Sequence, residues 1–172
     1  MVLAKSFEPI DKTRHDLKSF TCGKPPMDDF LHRQAVNHAK QGLSSTWVLP
    51  VIVDPEPPKA PIAAYYTLAS STVSKDEIPY QKSLPPYQVG VVLLARLAVA
   101  SDHQGRQLGA KTLVTALRKA VELTTVGLPA LGLILDVLDE DALAFYQRFD
   151  LFEPFTDNPM RLFVPMTAIQ SL

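Results

Sequence analysis

The sequence predicts an α/β domain with a mixed central β-sheet flanked by helices on both sides. Three observations point there. Strand-like and helix-like hydrophobic patterns alternate along the chain. The most apolar run, residues 89–99, is long and β-branched enough for a buried central strand. That run leads through a glycine-bearing turn into an amphipathic helix. With 172 residues, 47% hydrophobic and 20% charged, the chain suits one domain over 1–172 and is unlike a disordered protein.

Residues 2–9 suit a first strand. A helix is expected from Pro25, because proline fits a first helical turn, and Met27, Phe30, Leu31, Ala35 and Ala39 recur near helical spacing until Gly42. Ser45 to Val53 and Ile62 to Ala69 read as a hairpin around the proline-rich stretch 54–61. Residues 72–89 form a long polar connection. After the central strand, a helix is expected over 108–123 with Leu113, Val114, Leu117, Ala120 and Val121 facing inward. A buried strand at 131–137, a short helix at 141–149 and two terminal strands within 151–166 complete the chain.

Charge and cysteine content narrow the function classes. Net charge is −1, too neutral for wholesale coating of nucleic acid. Basic residues nevertheless concentrate in residues 1–45 and 96–122, and two separate positive regions suit phosphate-bearing ligands, with ordinary solvated faces as the alternative. Cys22 is the only cysteine, which leaves no intramolecular disulfide and no cysteine-based metal cluster. No membrane-length apolar stretch or signal sequence is apparent, so a cytoplasmic location is expected. His15, His32, His38 and His103 lack metal-ligand spacing, and no metal is expected; Asp28 and His32 read as a surface pair.

The turn Gln104-Gly105-Arg106-Gln107-Leu108-Gly109-Ala110 follows the central strand and opens the helix. A helix N-terminus presents unpaired backbone N–H groups and partial positive charge, which suits a phosphate. Neither a dinucleotide-binding fingerprint nor a P-loop is present. On spacing alone, Gly105 and Gly109 serving only turn and packing roles is an open alternative.

Together with Leu94-Ala95-Arg96-Leu97-Ala98-Val99, this turn resembles motif A of the GNAT acetyltransferases, Gln/Arg-x-x-Gly-x-Gly/Ala. Gln107 stands where that family has its first motif glycine. Residues 139–149 resemble the family's Asn-x-x-Ala-x-x-Phe-Tyr-x-x-Phe-Gly, with Asp139 for the asparagine and Asp150 for the closing glycine. The N-terminal stretches around Phe7-Glu8-Pro9-Ile10 and Phe20-Thr21-Cys22-Gly23-Lys24-Pro25-Pro26 are similar to GNAT toxins of toxin–antitoxin pairs.

The resemblance implies a GNAT fold and acetyl-CoA as acetyl donor. It implies acetylation of the α-amine of aminoacyl-tRNA and arrest of translation, with a ribbon-helix-helix antitoxin and a homodimer as partners. The cofactor-binding residues are then Leu97, Ala98, Val99, Gln104, Gly105, Arg106, Gln107, Leu108, Gly109, Ala110, Asp139, Ala142 and Phe145. Tyr146 is the candidate acid, because a phenol is protonated at neutral pH and able to protonate a departing thiolate. Lys12, Arg14, Lys24, Arg33 and Arg96 are candidate tRNA contacts, with Lys18 and Lys40 as further cations. Acetylation of a small-molecule or protein amine, and a catalytically silent binding module, are the alternatives.

Overall fold

The computed structural model describes residues 2–80 and 82–172. Gln81, inside the connection expected at 72–89, lies outside the described residues. In chain order the elements are β1 (Val2–Leu3), β2 (Glu8–Pro9), β3 (His15–Asp16), α1 (Pro25–Asp29), a π-helical segment (Phe30–Gln34), α2 (Ala35–Gln41), β4 (Ser45–Ile52), β5 (Ala60–Val73) and β6 (Val89–Val99). A 3-10 turn (Ser101–His103), α3 (Leu108–Val126), β7 (Gly132–Asp136), α4 (Glu140–Gln147), β8 (Glu153–Phe155), β9 (Asn158–Pro165) and α5 (Met166–Gln170) follow. Among the described residues no helix is long and apolar enough to cross a membrane.

The chain forms two compact units. The first joins Met1–Leu68 to Arg96–Ala116. Within it β1 and β2 both pair antiparallel with β4, and β4 pairs antiparallel with β5 from Ser45↔Leu68 to Pro50↔Ile62. The short β3 lies parallel to the start of β5, through His15↔Ala60 and Asp16↔Pro61. One apolar cluster gathers Phe20, Phe30, Leu31, Ala35, Val48, Tyr65 and Ala98; another gathers Leu49, Val51, Ala63, Val99 and Leu108.

The second unit joins Ala69–Ala95 to Leu117–Leu172. Here β6 runs parallel to β7 through Val92↔Leu133 and Leu93↔Ile134, while β9 pairs antiparallel with both β7 and β8. Val73, Ile78, Val91, Ile134, Phe155 and Phe163 form its core. Gly132 has no alternative there, since a Cβ would strike the Val164 carbonyl and the Phe163 ring. Parallel and antiparallel pairings together give the mixed sheet of the expected α/β class.

Several expectations shift in detail. The strand expected at 2–9 is two short strands separated by a bend. The helix from Pro25 to Gly42 is present, and Gly42 closes it at φ 75°, but the π-helical segment advances its phase. Phe30, Leu31 and Ala35 are buried, while Ala39, in the last turn of α2 before Gly42, is exposed. On α3 the buried positions are Leu108, Thr112, Leu113, Ala116, Leu117 and Ala120; Val114 and Val121 are only half-buried. Helix α5 was not anticipated, and its Met166 and Ile169 are buried.

Candidate functional site

Strand β6 ends in Ala98 and Val99, buried like Ala100 just after them, and the 3-10 turn then carries the chain outward to Gln104. Gly105 adopts φ 78° and Gln107 φ 60°, both left-handed. Such a conformation explains why a glycine is suited to position 107, and Gln107 is the one non-glycine residue with positive φ among those described. The Gln107 carbonyl accepts from Lys111 N–H at 3.2 Å, opening α3 directly after the turn. The first-turn N–H groups of Leu108, Gly109 and Ala110 have no intrahelical acceptor, as in any α-helix, so this end of a 19-residue helix favours an anion. Arg106 is exposed beside it.

Gln104 does not spend its side chain on that anion site. Its Nε2 donates to the carbonyls of Val99, at 3.0 Å, and Cys22, at 2.9 Å. Ser101 N–H adds a bond to the Thr21 carbonyl at 2.8 Å. The turn is thus strapped to residues 21–22, which are held in turn by Asp28, whose carboxylate accepts from Cys22 N–H at 2.9 Å. Asp28 therefore does not form the surface pair expected with His32, whose Nε2 donates to the Phe20 carbonyl at 2.7 Å. Cys22 is buried, and desolvation, with the Asp28 carboxylate beside it, pushes its thiol pKa up to about 11. That makes it a packing residue rather than a nucleophile.

In the second unit, Asp139 caps α4: its side chain accepts from Ala142 N–H at 2.9 Å. Phe145 is half-buried, whereas Tyr146 is only 8% exposed. Its ring packs edge-on against Phe145 and Phe152, at centroid distances of 5.1 and 5.7 Å. Burial raises the Tyr146 pKa above the ordinary phenol value, so the hydroxyl keeps its proton throughout the neutral range.

The basic residues separate. Arg14 is paired with Glu8 at 2.9 Å. Lys24 precedes α1 at its N-cap position, and the Arg96 guanidinium lies 4.7 Å over the Phe30 ring. Lys12 and Arg33, by contrast, line one cleft of about 410 Å³ together with Lys18, Lys59 and His32. Lys59 is not singled out by the sequence, and His32 is read there only as a surface partner of Asp28. Lys59 sits in the proline-rich stretch and reaches this cleft because β3 pairs with the start of β5, an interaction with no local signal.

Residues 78–151 match the acetyltransferase (GNAT) family. The chain is 33% identical over 160 residues to a tRNA-acetylating toxin of Mycobacterium tuberculosis, covering 91% of this chain and 90% of that relative. Among solved structures, AtaTR bound with AcCoA is similar at a TM-score of 0.82 and 26% identity, covering 99% of this chain and 97% of the other. AtaT complexed with acetyl-methionyl-tRNAfMet is similar at a TM-score of 0.84 and 25% identity, covering 98% of each chain.

Proposed function

The chain belongs to the GNAT acetyltransferase family, and on that premise we propose that it transfers the acetyl group of acetyl-CoA to the α-amine of aminoacyl-tRNA, acting as a toxin that halts translation. The carrying observation is the turn at 104–110: two left-handed residues deliver the chain into a long helix whose first N–H groups are free for a pyrophosphate. Similarity across nine-tenths of a tRNA-acetylating toxin supports the acceptor.

In this reading Gly105 to Ala110 hold the pyrophosphate through backbone N–H groups, with Arg106 adding positive charge. Leu97 to Val99 supply backbone N–H groups to the thioester arm and polarise its carbonyl. Gln104 shapes the turn, and Asp139, Ala142 and Phe145 fix the helix that carries Tyr146. The α-amine, with a pKa of roughly 7.7–8.0, is already partly neutral near pH 7 and needs little help from a base. Its nitrogen forms the amide bond as the carbon–sulfur bond breaks; the amine's proton passes to solvent, and Tyr146 protonates the departing thiolate.

Lys12 and Arg33 are retained as tRNA contacts. The resemblance to GNAT toxins supports a homodimer and neutralisation by a ribbon-helix-helix antitoxin. The test is mass spectrometry of aminoacyl-tRNA and deacylated tRNA after incubation with labelled acetyl-CoA. Label on the amino acid of the charged tRNA alone is the expected result. Label on neither would overturn the reading.

A further inference from the structure

We infer that the cleft between the β3 region and the wall formed by the π-helical segment and α2 is a phosphate track for the tRNA backbone, built by Lys12, Lys18, Arg33 and Lys59. This rests on the proposed acetylation of aminoacyl-tRNA and names the surface that recruits the RNA.

Four cations meet in one cleft of about 410 Å³. All four are exposed, and among the described residues none is ion-paired. The cleft's one carboxylate is Asp16, which is occupied by Ser19: its oxygens accept from Ser19 N–H at 3.3 Å and from the Ser19 hydroxyl at 2.7 Å. Four cations against one carboxylate leave the cleft with a net positive charge, and the concave wall focuses that field; a polyanion threading the cleft relieves the repulsion among the cations.

The frame is rigid where the cations are anchored. His15, 1% exposed, accepts at Nδ1 from Asp11 N–H at 3.0 Å and donates from Nε2 to Glu8 at 2.7 Å. That fixes the backbone between Lys12 and Lys18. Ala60 N–H donates to the Arg14 carbonyl at 2.8 Å and places Lys59 alongside. Leu31, 1% exposed, and Leu17 back the cleft. No Phe, Tyr or Trp lines it, the buried His15 is held by Asp11 and Glu8, and His32 is tied to the Phe20 carbonyl, so the cleft reads phosphates rather than sequence.

An RNA backbone is favoured over an acidic protein because the four cations sit on a cleft wall at separate points of the chain, and long side chains reaching several points suit regularly spaced phosphates. The experiment compares the full-length protein with a Lys18→Gln, Lys59→Gln double variant, titrated with deacylated tRNA across salt concentrations. Each lost phosphate contact lowers the log–log salt slope by roughly 0.7–0.9, so the slope should fall by about 1.4–1.8 and affinity near 0.1 M salt on the order of tenfold or more. Acetyl-CoA affinity should not change. With charged tRNA, KM should rise while kcat at saturating tRNA holds. An unchanged slope and affinity for tRNA would overturn the inference, as would a variant that binds tRNA like the parent but loses polyglutamate, which would make the cleft a protein-docking face. Because deacylated tRNA is the probe, the inference can fail while acetylation of charged tRNA stands, and it can hold even if acetylation is absent.

Discussion

Gln107 occupies a backbone conformation that crowds an L side chain, at roughly 1–2 kcal/mol. Glycine would remove that strain while giving back about 0.5–1 kcal/mol of unfolded-chain entropy. Gln107→Gly should therefore raise stability in urea by up to about 1.5 kcal/mol and leave acetyl-CoA affinity equal or higher. Weaker binding would show that the glutamine contributes a contact of its own. Tyr146 poses the complementary question, since its hydroxyl is proposed for chemistry and its ring for packing against Phe145 and Phe152. Tyr146→Phe keeps the ring, so fold and cofactor affinity should persist while single-turnover acetylation falls by about 10²–10⁴. A rate within about threefold of the parent would exclude it as the acid. The pH profile gives a second handle. The substrate ammonium must lose its proton, so the rate should rise up to about pH 8. Because burial raises the Tyr146 pKa above the ordinary phenol value, no alkaline fall is expected near pH 10, where a free phenol would ionise. A descending limb there, read with a small amine substrate, would speak against a buried tyrosine acid.

At the scale of elements, the phosphate turn is held in place from outside itself. Gln104 bridges the end of β6 to the segment before α1 through two carbonyls. Gln104→Leu deletes both bonds, and at about 0.5–1.5 kcal/mol each the loss should be roughly 1–2 kcal/mol in urea, given the partial exposure of the site. Acetyl-CoA affinity should fall with it, because a loosened turn no longer presents its N–H groups together; unchanged affinity would mean that the helix end alone sets the geometry. This strap also marks where sequence reading stops. The periodicities of β4, β6 and α3 were legible because each element buries one continuous pattern of its own residues. The motif residues Gln104 and Gly105 were legible as a turn, yet the bond from Gln104 to Cys22 joins distant points of the chain and leaves no local pattern. The same holds for Lys59, delivered by the pairing of β3 with β5. Ala39 shows a third cause: helical spacing gives the face of a residue but not where the helix leaves the core, and Ala39 lies in the last, exposed turn of α2 before Gly42. Asp139 was read as a motif position and proves to be an N-cap, a role that the residue type and its place before α4 already allow.

For the whole molecule, donor binding is also a stability measurement. A ligand that binds only the folded chain stabilises it by about 2.7 kcal/mol at one hundred times its dissociation constant. For a chain of this size each kcal/mol moves Tm by roughly 2–4 °C, so saturating acetyl-CoA should raise Tm by roughly 5–11 °C. Gly109→Glu isolates the source of that shift. Position 109 lies within the first turn of α3, where glutamate is a better helix former than glycine and its charge is favoured by the helix dipole. The variant without ligand should therefore melt at or above the parent's temperature. The same negative charge and bulk oppose a pyrophosphate at those N–H groups, so the acetyl-CoA shift should vanish. Calorimetry and thermal melts on the two proteins separate the outcomes. A lower melting temperature without ligand would mean that the half-buried position rejects the side chain, and Ala110→Glu, one residue further along the same turn, would then serve in its place. A full shift retained by either folded variant would place the pyrophosphate elsewhere on the molecule and remove the observation on which the acetyl-donor site rests.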